Sequence, residues 1–171
     1  GGLSTRSPRQ PCSVLATHSI PTQYMPIYLE SAVPAALLCA LIVDGESTEC
    51  RALSALVDRF GPIVAKSESY RLAATGYYAR EMGAELHKKI VCFERLVDPA
   101  LLAQAKRDAM DIERGLARKE VDRLCRQANI DPGLLSIESL VLATSKRAGH
   151  RVCIAPSLYA ETTLLYQKGK Y

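Results

Sequence analysis

The chain has 171 residues, which is enough for one domain with a hydrophobic core, and two full domains are not expected. Hydrophobic residues make up 48% of the chain, and 22 basic residues against 18 acidic ones leave a formal charge of +4. The composition is that of an ordinary globular protein. The small charge argues against nucleic acid, because nucleic-acid-binding proteins concentrate their basic residues in a stripe interleaved with aromatic side chains.

Residues 1–35 are predicted to form a flexible or loosely attached segment, and residues 36–171 a single α+β domain. The first 26 residues contain four prolines with serine and threonine between them and no acidic residue. The longest apolar stretch, residues 33–43, is much shorter than the ~20 residues that a membrane span needs. We therefore expect a cytoplasmic protein without a membrane segment.

The first ordered elements are predicted to be a strand and a helix. The apolar run "LLCALIV" (37–43), followed by turn residues, is typical of a strand that is buried on both faces. Ser47 or Thr48 is predicted to cap a helix over residues 47–60, and Gly61 with the following proline is predicted to end it.

A second strand–helix pair follows in the pattern. Residues 63–72 are predicted to be extended, a short helix is predicted over 75–83, and the next strand over 87–95. Asp98 and Pro99 are strong helix-start residues, which predicts a helix over 98–115 whose alternating charges would form a solvated face. The apolar stripe shifts beyond Gly115, so the helix is predicted to break there.

The C-terminal region is predicted to contain a turn, a helix and a hairpin. The string "NIDPG" (129–133) is predicted to be a turn, and Ser136 to cap a short helix, although "LVLAT" alone would equally suit a strand. A β-hairpin is predicted at Pro156 and Ser157, with Ile154 opposite Tyr159.

The predicted fold class is α+β. The first six main elements match a ferredoxin-like split βαβ arrangement, in which two helices cover one face of an antiparallel sheet. The C-terminal helix and the hairpin are predicted additions to that core.

The hairpin pairing predicts a candidate catalytic pair. His150 and Glu161 would point to the same side of the hairpin, one diagonal step apart. A glutamate beside a histidine orients the imidazole and raises its pKa, as a general base or a phosphate-binding cation requires. In the alternative interpretation, Glu161 is structural and pairs with Arg151 or Lys146.

Three further residues are candidates for ligand binding. Lys146 would supply positive charge for an oxyanion or phosphate, and Asp131 would accept a proton or bind a metal; Tyr78 is the third candidate. Each also has a structural interpretation: Lys146 suits a helix C-terminus, Asp131 an ordinary turn, and Tyr78 the edge of a core.

Cofactor and metal motifs are missing from the sequence. The six cysteines never approach the C-x-x-C spacing of a zinc site, so no metal is predicted and reduced thiols are expected. There is also no P-loop, dinucleotide-binding fingerprint or nucleophile elbow. No particular cofactor is therefore indicated.

Several motifs together resemble a bacterial family known only as domain of unknown function 4416. The motifs, spread over roughly residues 36–168, are "RFGPI", "TGYYAREMG", "NIDPG", "LVLATSK", "HRV" and "YAETTLLY". Leu134 departs from the pattern, because the resemblance implies a tyrosine there. The family has no established activity, so the resemblance implies a domain boundary and an order of motifs, and no mechanism.

The sequence is compatible with two functions. The first is binding of, or action on, a small anionic and phosphorylated ligand in a pocket near the C-terminal hairpin. The alternative is a non-catalytic interaction module that presents a sheet edge or the terminal hairpin to a partner protein. The sequence does not decide the oligomeric state, and a homodimer stays open.

Overall fold

An antiparallel sheet of eight strands dominates the computed structural model, which describes residues 30–73, 81–83, 85–120 and 123–170. The order of its strands is β2-β4-β1-β7-β8-β10-β9, and β3 pairs with the other half of β4. A separate two-stranded ribbon contains β5 and β6. The strands are β1 (Ala35–Val43), β2 (Ile63–Lys66), β3 (Tyr70–Ala73), β4 (Glu85–Val97), β5 (Arg118–Glu120), β6 (Arg123–Cys125), β7 (Ala128–Leu135), β8 (Ser139–Thr144), β9 (Val152–Ala155) and β10 (Leu158–Leu165).

The first helix, α1 (Glu46–Phe60), lies where the sequence predicts it. Its N-terminal cap is Gly45, and no side chain caps the helix, so the predicted role of Ser47 or Thr48 is wrong. Gly61 ends the helix as predicted: its backbone N–H donates to the carbonyl oxygen of Val57, and its φ of 95° lies in the region that favours glycine.

The second helix, α2 (Leu102–Leu116), follows a 3-10 turn at Pro99–Leu101. The side chain of Asp98 accepts a hydrogen bond of 2.8 Å from the backbone N–H of Ala100, which confirms the predicted start. The end at Leu116 confirms the predicted break near Gly115. Within the described ranges, no helix combines the length and the apolar character that crossing a membrane requires.

The main core lies between the two helices and one face of the sheet. Alternate residues of β1 point toward it, and Cys39 and Leu41 are fully buried there. The helices contribute small and medium side chains to the same cluster: Ala52 and Leu56 from α1, and Leu102, Ala105 and Ala109 from α2. Both helices therefore pack on the same face of the sheet.

Two predictions for the C-terminal region are wrong. Residues 129–133, predicted as a turn, lie inside β7, where Pro132 pairs with Cys39 of β1. The ladder to β8 begins only at Gly133, so the proline removes no hydrogen bond on that side. The predicted C-terminal helix is instead strand β8, the alternative that "LVLAT" leaves open, because its apolar residues pair with β7 and β10.

The C-terminal hairpin is present, but its register differs from the predicted one. Strands β9 and β10 flank Pro156 and Ser157 as expected. Tyr159 pairs with Cys153 and not with Ile154, because the register shifts between Leu158 and Tyr159. An irregularity of this kind inserts one extra residue into a strand. The prediction assumes strict pairing of one residue with one, so its register is off by one residue beyond this point.

Candidate functional site

The structure brings together the two predicted catalytic side chains. His150 lies just before β9 and Glu161 lies in β10, and their Nε2 and Oε2 atoms are 3.4 Å apart. The His150 side chain is 62% exposed, so a ligand in solution could reach it. The predicted proximity is found although the predicted register is not.

Arg151 engages the same carboxylate more closely. Its Nε donates a hydrogen bond of 2.8 Å to Glu161 Oε2, and its Nη1 donates one of 2.8 Å to the carbonyl oxygen of Lys146. The hydrogen bond from Arg151 is the main reason that the pKa of Glu161 lies below its ordinary value, and His150 adds a smaller effect. Glu161 is therefore a charged partner of Arg151, as in the structural interpretation, and a weak proton acceptor.

Lys146 belongs to the loop between β8 and β9, and not to a helix C-terminus. Its backbone N–H donates to Thr144 Oγ1 over 3.2 Å, and its carbonyl oxygen accepts from Arg151. Lys146 thus anchors Arg151 through its backbone. The fifth candidate, Tyr78, lies outside the described residues.

Asp131 belongs to a different group of polar residues, which we call the β7-edge network. In this network, Lys106 Nζ donates to Asp131 Oδ1 over 2.9 Å and to the carbonyl oxygen of Ile130 over 2.6 Å. Glu113 Oε1 accepts a hydrogen bond of 2.6 Å from the backbone N–H of Ile130. Two side chains of α2 therefore take the place of a strand along this part of β7.

Arg126 and Asn129 complete the β7-edge network. Asn129 Nδ2 donates to Asp131 Oδ2 over 2.7 Å, and Arg126 Nη1 donates to Asn129 Oδ1 over 3.3 Å. Arg126 Nη2 also donates to Glu81 Oε2 over 2.8 Å. The network thus connects Glu81 of the motif "TGYYAREMG" with Asn129 and Asp131 of the motif "NIDPG".

Lys106 and Glu113 are not among the predicted site residues, because the charge pattern of α2 predicts a solvated helix face. Both are buried, with relative exposures of 3% and 9%. Burial is the main cause that raises the pKa of Glu113, and the charge of Lys106 opposes that shift. A signal was present, because both residues fall on the helical stripe that also contains Leu102, Ala109 and Leu116.

A groove of about 380 Å³, here called the α2–hairpin groove, lies beside the turn of the C-terminal hairpin. One wall is α2 and the other is formed by the end of β8 and the hairpin turn. Among the described residues, Arg107 makes no hydrogen bond or ion pair, whereas Arg114 pairs with Asp111. The lining residues are Arg107, Met110, Asp111, Arg114, Ser145, Pro156, Ser157 and Leu158.

The hairpin turn itself has an unusual backbone. Ser157 has a φ of 61°, in the left-handed region that residues other than glycine rarely adopt. Such strained residues are enriched at functional sites, where the surrounding structure holds them in place. The strained residue lines the α2–hairpin groove, whereas the four candidate residues that the structure describes do not.

Two other clefts differ in character. A cleft of about 530 Å³ at the start of α1 contains Cys50, His87 and the ion pair between Glu49 and Lys89. An open apolar groove of about 470 Å³ is formed mainly by side chains at one end of the sheet: Val33, Pro34, Ala36, Leu96, Leu135 and Ile137. Within the described part of the chain, no group of three histidine, cysteine or acidic side chains could hold a metal ion.

Comparison with known protein families places the chain in one of them. The model of the family described as "Domain of unknown function (DUF4416)" matches residues 33–171, so the chain belongs to this family. No curated protein and no solved structure matches the chain. The family match agrees with the order of motifs in the sequence, but the family has no known function. A function can therefore be inferred only from the geometry of the site.

Proposed function

We propose that this DUF4416 protein binds a small anionic, phosphorylated ligand in the α2–hairpin groove. The observation that carries the proposal is Arg107, an exposed guanidinium that lines the groove and makes no ion pair with any described residue. A guanidinium presents donors in a planar fork that matches phosphate geometry. Arg114 lies in the same groove, and its partner Asp111 is an exposed side chain that water or a ligand can replace.

The other walls of the groove suit a small organic phosphate. Ser145 and Ser157 bring hydroxyl groups that donate and accept hydrogen bonds, while Met110 and Leu158 are apolar. A volume of about 380 Å³ falls at the lower end of the range for small-molecule sites. This combination favours a compact metabolite over a long polymer.

We also propose that His150 and Glu161, neither of which lines the α2–hairpin groove, form an acid–base pair for a ligand that extends beyond the groove along the hairpin. His150 is exposed and lies 3.4 Å from a carboxylate that stays charged. His150 would serve as the proton-transfer group, and Glu161 would orient it together with Arg151.

A thermal-shift screen tests the binding proposal. The probes are inorganic phosphate, a sugar monophosphate and a mononucleotide, and a probe at a hundredfold excess over its Kd should stabilise the protein by ~2.7 kcal/mol. We expect Arg107→Gln to abolish the shift. Arg51→Gln is the matched control, because Arg51 is an exposed arginine of α1 outside the groove. No shift with any probe, or an equal shift in the Arg107→Gln protein, would refute the proposal.

An interaction module is the second candidate, and the open apolar groove supports it. Its residues Val33 and Ile137 are 78% and 84% exposed. Large exposed apolar patches often mark protein-binding surfaces. If the protein is an interaction module, Ile137→Glu should abolish capture of a stoichiometric partner protein. If it binds a small ligand in the α2–hairpin groove, the same substitution should leave the ligand-induced thermal shift unchanged.

We also propose that the core is a ferredoxin-like split βαβ arrangement. The support is the order β2-β4-β1-β7 with antiparallel neighbours, and the position of α1 and α2 in the chain after β1 and β4. Experimental coordinates with α1 and α2 on opposite faces of the sheet would contradict it.

We further propose that the protein is bacterial and cytoplasmic. The family resemblance is to a bacterial family, and five cysteines of the described part carry free thiols: Cys39, Cys50, Cys92, Cys125 and Cys153. Thiols stay reduced in the cytoplasm. Alkylation under denaturing conditions of protein taken directly from cells, followed by mass spectrometry, should modify all five thiols before any reducing agent is added.

A further inference from the structure

The charges of the α2–hairpin groove have a regular spacing along α2. Arg107, Asp111 and Arg114 are separated by four and three residues, so they lie on one face of the helix. The two arginines are two turns apart, which corresponds to about 10 Å along the helix axis at 1.5 Å per residue. Asp111 lies between them and pairs with Arg114.

The two guanidinium groups are therefore not equivalent. Arg107 is available to an anion without displacing any described side chain. An anion that reaches Arg114 must compete with Asp111 for it. A ligand with one phosphate would thus occupy the Arg107 end of the groove, and only a ligand that spans the groove would contact both arginines.

We infer that the ligand carries two anionic groups at opposite ends of a short polar body, in the manner of a sugar bisphosphate. This inference rests on the proposed function. One phosphate binds Arg107 and the second displaces Asp111 from Arg114. The carboxylate of Asp111 then accepts a hydrogen bond from a hydroxyl of the body. Once the first phosphate is bound, the second contact is intramolecular, which raises its effective concentration.

Three probes distinguish the effect of the distance between two phosphates from the effect of their total charge. The first is a hexose with phosphates on its first and last carbons, the second is the corresponding monophosphate, and the third is inorganic pyrophosphate. Pyrophosphate carries two phosphates but is too short to span two helical turns. Titration calorimetry should give a Kd for the hexose bisphosphate at least tenfold lower than for either of the other probes.

Variants assign the two ends of the groove. Arg114→Gln should raise the Kd of the hexose bisphosphate to that of the monophosphate and leave the monophosphate unchanged. Arg107→Gln should weaken both ligands, and Arg51→Gln should weaken neither.

The outcomes distinguish the inference from the proposed function. If none of the three probes binds the wild-type protein, both are wrong. If pyrophosphate or the monophosphate binds as tightly as the hexose bisphosphate, or if Arg114→Gln weakens the monophosphate equally, anion binding stands and the spanning ligand is wrong.

Discussion

The charged residues differ in how far local pattern predicts their position. The proximity of His150 and Glu161 can be predicted, because the hairpin that brings them together is recognisable from its turn and its β-branched residues. Lys106 and Glu113 were assigned to the surface because charges are usually solvated. The apolar stripe of α2 indicates that both positions face the core. Their polar partner, the backbone of Ile130 on the open side of β7, follows only from the folded structure.

Lys106→Met should be strongly destabilising. The substitution leaves Glu113 and Asp131 without their shared cation and the carbonyl of Ile130 without its donor. Breaking one side of a buried ion pair costs about 3–5 kcal/mol, which urea unfolding would measure. Arg107→Met, one position further along the same helix but exposed, is the control and should change the free energy of unfolding by less than ~0.5 kcal/mol.

The double variant Lys106→Met with Glu113→Leu tests whether the effect comes from unpaired charge. Since both charges of the pair are then removed, its cost should be smaller than the sum of the two single variants. Additive costs would show that the two side chains do not act as a pair.

The contribution of Glu161 to stability should depend on pH in a defined direction. Its pKa is lowered in the folded protein, mainly by Arg151, so the folded state binds fewer protons than the unfolded chain. Its contribution is complete above the unfolded pKa of about 4.3 and is lost as pH falls through the folded pKa. The stability difference between wild type and Glu161→Gln should therefore be largest near neutrality and should shrink below about pH 4. A difference that grows on acidification would contradict this assignment.

Among the elements, the helices and the first strands follow the sequence pattern, whereas β7 and β8 do not. Asp98, Pro99 and an apolar stripe define α2 and the turn before it locally. The apolar run of β8 is too short to distinguish a strand from a buried helix by its pattern. Its pairing with β7 and β10 determines that it is a strand. In β7, the local preferences of Pro132 and Gly133 indicate a turn, but both residues pair with β1 inside the sheet.

Gly133→Ala should weaken the contact between β7 and β8. A Cβ atom there would lie 3.0 Å from the carbonyl oxygen of Val141, and it would also meet the side chain of Leu142. Overpacking of this kind costs about 1–3 kcal/mol, which thermal unfolding would detect. Gly115→Ala is the matched control: it lies in α2 with open space around it, so the same substitution should stabilise the protein by about 0.5–1 kcal/mol.

At the scale of the molecule, β1 joins the parts of the fold. It pairs with β4 on one side and β7 on the other, and its inward side chains share one core with both helices. The sequence indicates the alternation of strands and helices, but the position of β1 inside the sheet depends on contacts between distant segments. Composition and periodicity do not specify such contacts.

The shared core predicts one cooperative unfolding transition. Far-ultraviolet circular dichroism reports the helices and sheet, and tyrosine fluorescence is available as a second probe because the chain has no tryptophan. Both should give the same urea midpoint. Two separate midpoints would show that part of the sheet unfolds independently of the helices.

The way α2 covers β7 also bears on aggregation. Residues 128–132 lack a partner strand on the side of β8 among the described residues, and an unpaired strand edge usually recruits strands from other molecules. Here an incoming strand would have to displace Lys106 and Glu113 from the backbone of Ile130, and both buried side chains would lose their hydrogen bonds to it. We therefore expect Lys106 and Glu113 to oppose edge-to-edge association. A hydrophobic pair of the same size would not do so, because it offers β7 neither a donor nor an acceptor.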